Sequence, residues 1–180
     1  SASIQRWLND VPRQSCLFVP DESAPSGFAI APPAKVAAAL NRRFEAEHGK
    51  FCTLVYGVLN LREKTFSYVT AGHPPPLRSG PGGREVCPLA PGMPIGVVED
   101  SEYGEVHLDL QPGDKVLLYT DGVTETANAA DEMYDENHLL GDLGDLPAEE
   151  PLDKIMGKLQ KWAGSDALED DVTLLLIETT

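Results

Sequence analysis

The sequence predicts a mixed α/β (α+β) fold, and three observations carry that reading. Two segments show apolar residues at three- and four-residue spacing, the helical period. Several short runs are rich in β-branched and aromatic residues and are punctuated by turn residues, the strand signal. The chain then closes on an apolar run, "VTLLLIE", directly after the second helical segment. With 180 residues, 42% of them hydrophobic, it can bury about 70% of its unfolded surface in one core, so a single domain over residues 1–180 is expected.

Residues 10–32 mix Pro, Ser and Gly with short apolar pieces and read as a long loop. In "PPAKVAAALNRRFEAEHGK", Pro33 suits a first helical turn. Val36, Leu40 and Phe44 share one face, and Gly49 can end the helix. "FCTLVYGVLNLREKTFSYVTAG" predicts a β-hairpin turning at its charged "REK". The proline-rich stretch after it is expected to be irregular, with a short extended piece from Glu85 to Leu89. Two strands flank "QPGD", and "EEPLDKIMGKLQKWAG" places Leu152, Ile155, Met156, Leu159 and Trp162 on one helical face before Gly164.

Charge narrows the function classes. A formal net charge of −15 repels a phosphate backbone and an anionic lipid surface, so neither nucleic acid nor membrane is an expected partner, whereas a divalent cation is attracted. The acid excess concentrates in residues 121–150, which hold ten Asp or Glu and no Lys or Arg. Its portion "ADEMYDENHLLGDLGDLPAEE" reads as a solvated loop with one short helix, a partner-recognition flap being the alternative. Cys16, Cys52 and Cys87 have no metal-ligand spacing and read as reduced thiols. Without a secretory leader or a membrane-length apolar run, a cytoplasmic location is expected.

One juxtaposition carries chemistry. "KVLLYT" reads as a doubly buried strand that runs into Asp121 and Gly122, while Asp170 and Asp171 precede the equally apolar closing strand. If those strands are antiparallel neighbours, the carboxylates meet at one edge of a sheet. Carboxylates gathered there repel one another unless a hard cation such as Mg2+ or Mn2+ lies between them. An Asp-Gly turn and an Asp-Asp loop cap would equally produce these residues.

The ordered set "FCTLVYG", "YVTAGHPPPL", "MPIGV", "LQPGDKVLLYTDGVTETAN" and "DDVTLLLI" resembles the SpoIIE/RsbU branch of the PPM-type metal-dependent serine/threonine protein phosphatases. The resemblance implies an α-β-β-α sandwich of two mainly antiparallel sheets flanked by helices. It implies two Mn2+ or Mg2+ ions, with Asp121 and Asp170 as metal ligands and Gly122 and Asp171 supporting the site. The implied reaction is hydrolysis of phosphoserine or phosphothreonine on a bacterial regulatory protein, such as an anti-sigma-factor antagonist, by a metal-activated water. A non-catalytic phosphatase-fold binding module is the alternative.

That family's Asp with Gly-His-Gly element is not found in the sequence. "SASIQRWLN" looks like the helix that follows it, with Trp7 and Leu8 as core residues. The expectation is therefore an amino-terminally truncated domain without its opening strands. An upstream sensory or receiver domain, weakened metal binding and an exposed sheet edge able to pair in a homodimer are expected with it. His73 in "AGHPPPL" reads as a ring held in a proline-bound turn, with a proton-transfer role as its alternative. Glu125 and Asn128 in "TETAN" either shape a substrate loop and the metal surroundings or cap the turn, and Thr53 and Thr120 read as structural.

Overall fold

In the computed structural model of the chain, residues 15–44, 50–146 and 150–180 are described, and they form two compact units. The helix expected in "SASIQRWLN", with Trp7 and Leu8, and the expected stop at Gly49 lie outside the described residues.

The first unit runs through His73 and resumes at Leu89–Asp109. Its opening corrects the loop expected over residues 10–32. β1 (Phe18–Pro20) and β2 (Phe28–Ile30) pair antiparallel, with Phe18 opposite Ile30. The short apolar pieces are the strands, and Asp21 folds the link by accepting from the Ser23 N–H and hydroxyl, while its own N–H donates to Gly27 O. α1 (Pro33–Phe44) begins at the predicted proline. Its Ala34 N–H, one of the unpaired donors of a first turn, donates to Glu105 Oε2 at 3.1 Å.

The predicted hairpin is β3 (Leu54–Asn60) and β4 (Thr65–Ala71), joined on the other side of β4 by β7 (Val106–Asp109). Val36, Ala37, Leu40 and Phe44 of α1 share a core with Val69, Ala71 and Ile95. Asn41, itself buried, secures the 96–98 segment by accepting from Gly96 N–H and donating to Val98 O.

The second unit combines Pro74–Pro88 with Leu110–Thr180. Its sheet has the order β6-β5-β8-β9, all antiparallel: β5 (Leu77–Gly80), β6 (Gly83–Val86), β8 (Lys115–Tyr119) and β9 (Leu174–Glu178). The extended piece expected at Glu85–Leu89 thus begins two residues earlier, at Gly83, and is half of a hairpin that turns at Pro81 and Gly82 between the paired Gly80 and Gly83. The strands flanking "QPGD" belong to different sheets, β7 pairing with β4 and β8 with β5 and β9.

α2 (Asp121–Thr124), α3 (Glu136–Gly144) and α4 (Pro151–Ala163) complete the unit. α4 ends as predicted, at Gly164 in the left-handed conformation with φ 68°. The solvated loop expected over the acidic stretch is overturned in part. Tyr134, Leu139, Leu143 and Leu146 are buried in one core with Leu117, Tyr119, Ile155 and Leu159. The stretch is acidic on one side only: Asp135 caps α3 by accepting from the Asn137 and His138 N–H groups, while the leucines face inward. At the far end of β8, the buried Asp114 carboxylate accepts from Arg78 Nη2 at 2.5 Å and from Gln111 N–H.

Candidate metal centre

Strand register brings the segments that carry the two predicted carboxylates side by side. β8 and β9 are antiparallel neighbours, with Tyr119 opposite Leu174, so the chain leaving β8 passes the chain entering β9. The pairing continues beyond the strands: Thr120 N–H donates to Thr173 O at 3.1 Å. Thr120 also donates its hydroxyl to Asp171 O at 3.1 Å and accepts from Thr173 N–H at 2.9 Å. One hydroxyl therefore fastens the Asp170–Asp171 segment to the residue before Asp121. The sequence marks Thr120 only as a strand residue, because its cross-strand partners lie about fifty positions away.

Asp121 opens α2, whose single turn is tied by Glu125 N–H and Thr124 Oγ1, both donating to Asp121 O at 2.8 and 3.2 Å, and by Thr126 Oγ1 donating to Gly122 O at 2.7 Å. Gly122 is required by contact. A Cβ there would lie 2.6 Å from Asp171 O and 3.4 Å from Asp170 Cβ. Asp170 Oδ1 accepts from the Asp171 N–H at 2.7 Å, which orients its carboxylate locally. Asp121, Asp170 and Asp171 are exposed at this rim, as is Glu125.

Asn128 folds its own loop, accepting from Ala130 and Glu132 N–H groups. His73 is half-buried in the proline-bound stretch after β4 and belongs to the first unit. Behind the rim, Tyr119 donates to Glu136 Oε1 at 3.0 Å. Burial, and then the nearby Glu136 charge, push its phenol well above the usual range, so it remains a donor.

The donor set suits a hard divalent cation. It contains oxygen only, and Mg2+ is commonly held by one or two carboxylates with waters and substrate phosphate completing the shell. The space that a Cβ at 122 would fill leaves the two carboxylate-bearing segments in direct apposition. Among the described residues, no three His, Cys, Asp or Glu side chains form a metal-holding group.

Comparison with known proteins decides the family. The family model described as Stage II sporulation protein E (SpoIIE) matches residues 21–180. The chain belongs to the SpoIIE family. Among curated SpoIIE-like relatives, the phosphoserine phosphatase RsbP of Bacillus subtilis is 32% identical over 154 residues, covering 81% of this chain and 37% of that protein. The chain thus spans well under half the length of this relative.

Two solved structures share the fold. The SiaA-PP2C domain of Pseudomonas aeruginosa matches 83% of this chain and 61% of its own, with a TM-score of 0.70 and 19% identity. The manganese-presoaked phosphatase domain of SpoIIE from Bacillus subtilis matches 80% and 64%, with a TM-score of 0.61 and 17% identity. The mixed α/β fold with antiparallel sheets is therefore that of PP2C phosphatase domains, as the motifs led one to expect. No described helix is long and apolar enough to cross a membrane.

Proposed function

We propose that this chain is part of the catalytic domain of a metal-dependent serine/threonine protein phosphatase acting on a phosphorylated regulatory protein of bacterial signalling. The observation that supports the reading is the apposition of the segment that begins at Asp121 and the Asp170–Asp171 segment beside the β8–β9 pair, with Gly122 packed against Asp171, in a member of the SpoIIE family. Asp121 and Asp170 would hold Mn2+ or Mg2+ as carboxylate ligands. When bound, two such ions supply a hydroxide from water at neutral pH and offset the charge of a phosphoryl group.

The chain's own residues position and restrain. The Thr120 hydroxyl and Gly122 keep the segment carrying Asp170 against the segment carrying Asp121. Asp171 supports through its main chain, which donates to Asp170 and accepts from Thr120. Asn128 and Glu125 belong to the loop beside the site. In this reading the single domain is partial, and the longer protein contributes the remaining metal ligands together with a regulatory segment.

The test is phosphate release from a phosphoserine peptide by the full-length protein in Mn2+. The wild type releases phosphate, and Asp121→Asn and Asp170→Asn each lower the rate at least a hundredfold. Undiminished rates in both variants would remove the carboxylate pair from the reaction. Absence of turnover in every protein, with phosphopeptide still bound, would favour a non-catalytic binding module.

A further inference from the structure

A groove of about 630 Å3 opens beside Gly122 and Asp170, and the carboxylate pair leaves it without a role. Its walls are residues 125–131, which follow α2, and 163–170, which lead towards β9. Both have determined backbones. In the first, Asn128 N–H donates to Glu132 O at 2.9 Å and Ala127 bridges Met133. In the second, Ser165 Oγ donates to Ala167 O at 2.9 Å and accepts from its N–H at 3.1 Å. Trp162 Nε1, donating to Glu132 O at 3.1 Å, ties the two together.

Size and charge state what fits. The volume is far beyond the ~30 Å3 share of one water, and alanines at 127, 129, 163 and 167 line the walls, so the space suits a stretch of peptide rather than a hydrated ion. Among the described residues, Glu125, Asp131 and Glu169 add three carboxylates besides Asp170 of the rim, and no Lys, Arg or His lines the groove. Such a surface repels a phosphate group, which in the phosphatase reading would be held by cations at the Asp121–Asp170 rim and not in the groove itself. It attracts cationic side chains, most strongly at low salt. An extended peptide advances about 3.3–3.6 Å per residue, so one anchored at the rim by its phosphoserine delivers its next few side chains into the groove.

We infer that this groove receives the residues flanking the phosphorylated serine or threonine and selects segments carrying Lys or Arg there, with Asp131 and Glu169 as specificity-determining residues. The inference rests on the phosphatase reading of the carboxylate pair.

Three phosphoserine peptides, identical except for Lys, Ala or Glu at the flanking positions, test it by fluorescence anisotropy with the full-length protein, with phosphate release in Mn2+ measured in parallel. The near-isosteric variants Asp131→Asn and Glu169→Gln, single and combined, test the two residues. Asn suits position 131, where φ is +62°.

The expected result is binding of the Lys peptide about tenfold tighter than the Ala peptide and of the Glu peptide weakest, the spread shrinking as salt rises. In the double variant the Lys preference falls below threefold. Equal binding of all three peptides, or a preference unchanged in the double variant, overturns the inference. Phosphate release at equal rates from all three would do the same and leave the phosphatase reading standing. A Lys preference without phosphate release supports the groove and removes the phosphatase reading instead.

Discussion

Replacing Gly122 with alanine tests the apposition on which the candidate centre depends. The new Cβ would stand 2.6 Å from the Asp171 carbonyl oxygen and 3.2 Å from its carbon, where ordinary contact begins near 3.4 Å. The neighbouring atoms are backbone, so no side chain can swing aside. The two segments must part by about 0.8 Å, an overpacking that costs about 1–3 kcal/mol. For a chain of this size each kcal/mol moves Tm by about 2–4 °C, so a fall of about 2–12 °C is expected in a thermal melt.

A misplacement of about 1 Å can cost about a hundredfold in rate, so Mn2+-dependent phosphate release should fall by about 10- to 100-fold, more than the stability loss alone would produce. Gly157→Ala is the control. It adds the same methyl group inside α4, where nothing lies within 4 Å, and should raise stability by about 1 kcal/mol. A Gly122→Ala protein with wild-type Tm and wild-type phosphate release would refute the close contact between the segments carrying Asp121 and Asp170.

Leu143→Ala, in the acidic stretch, should cost about 2–5 kcal/mol in urea unfolding, because Leu143 is fully buried against α4 and β8 residues; a change under 0.5 kcal/mol would return that stretch to solvent. Burial pushes the Cys87 thiol up to about 12, with the Glu85 charge adding to it, against about 8.5 in an unfolded chain. The unfolded state then loses its proton first, so stability is fully present below about pH 8.5 and declines as pH rises towards about 12. In denaturant melts taken across that range, Cys87→Ala should show a shallower alkaline decline, and an identical slope would contradict the assignment.

The closing strand and the strand before Asp121 were legible because each is a continuous apolar run, and their shared edge followed from a single assumption of antiparallel pairing. The helices at Pro33 and Pro151 were equally plain from their period and end residues. Local patterning said less where pairing is non-local. β1 and β2 hold three residues each, too few for an alternation to stand out from a Pro- and Ser-rich background.

The strands beside "QPGD" look like neighbours and are not, since partner choice depends on β4 and β5, which lie far off in the chain. In the acidic stretch, net charge masked the leucines that α3 buries. At the candidate centre, residue types singled out Asp121, Gly122 and Asp170 as candidates, whereas the Thr120 hydroxyl bridge and the groove beside Gly122 exist only once distant segments are brought together.

Calorimetric titration of Mn2+ into the full-length protein and its Asp121→Asn, Asp170→Asn and doubly substituted variants addresses the shared site most directly. If one centre uses both carboxylates, each single substitution weakens binding at least tenfold, and the double variant loses little more than either single, because groups in one network are not additive. Independent, fully additive losses, or wild-type affinity in either single variant, would contradict the shared centre.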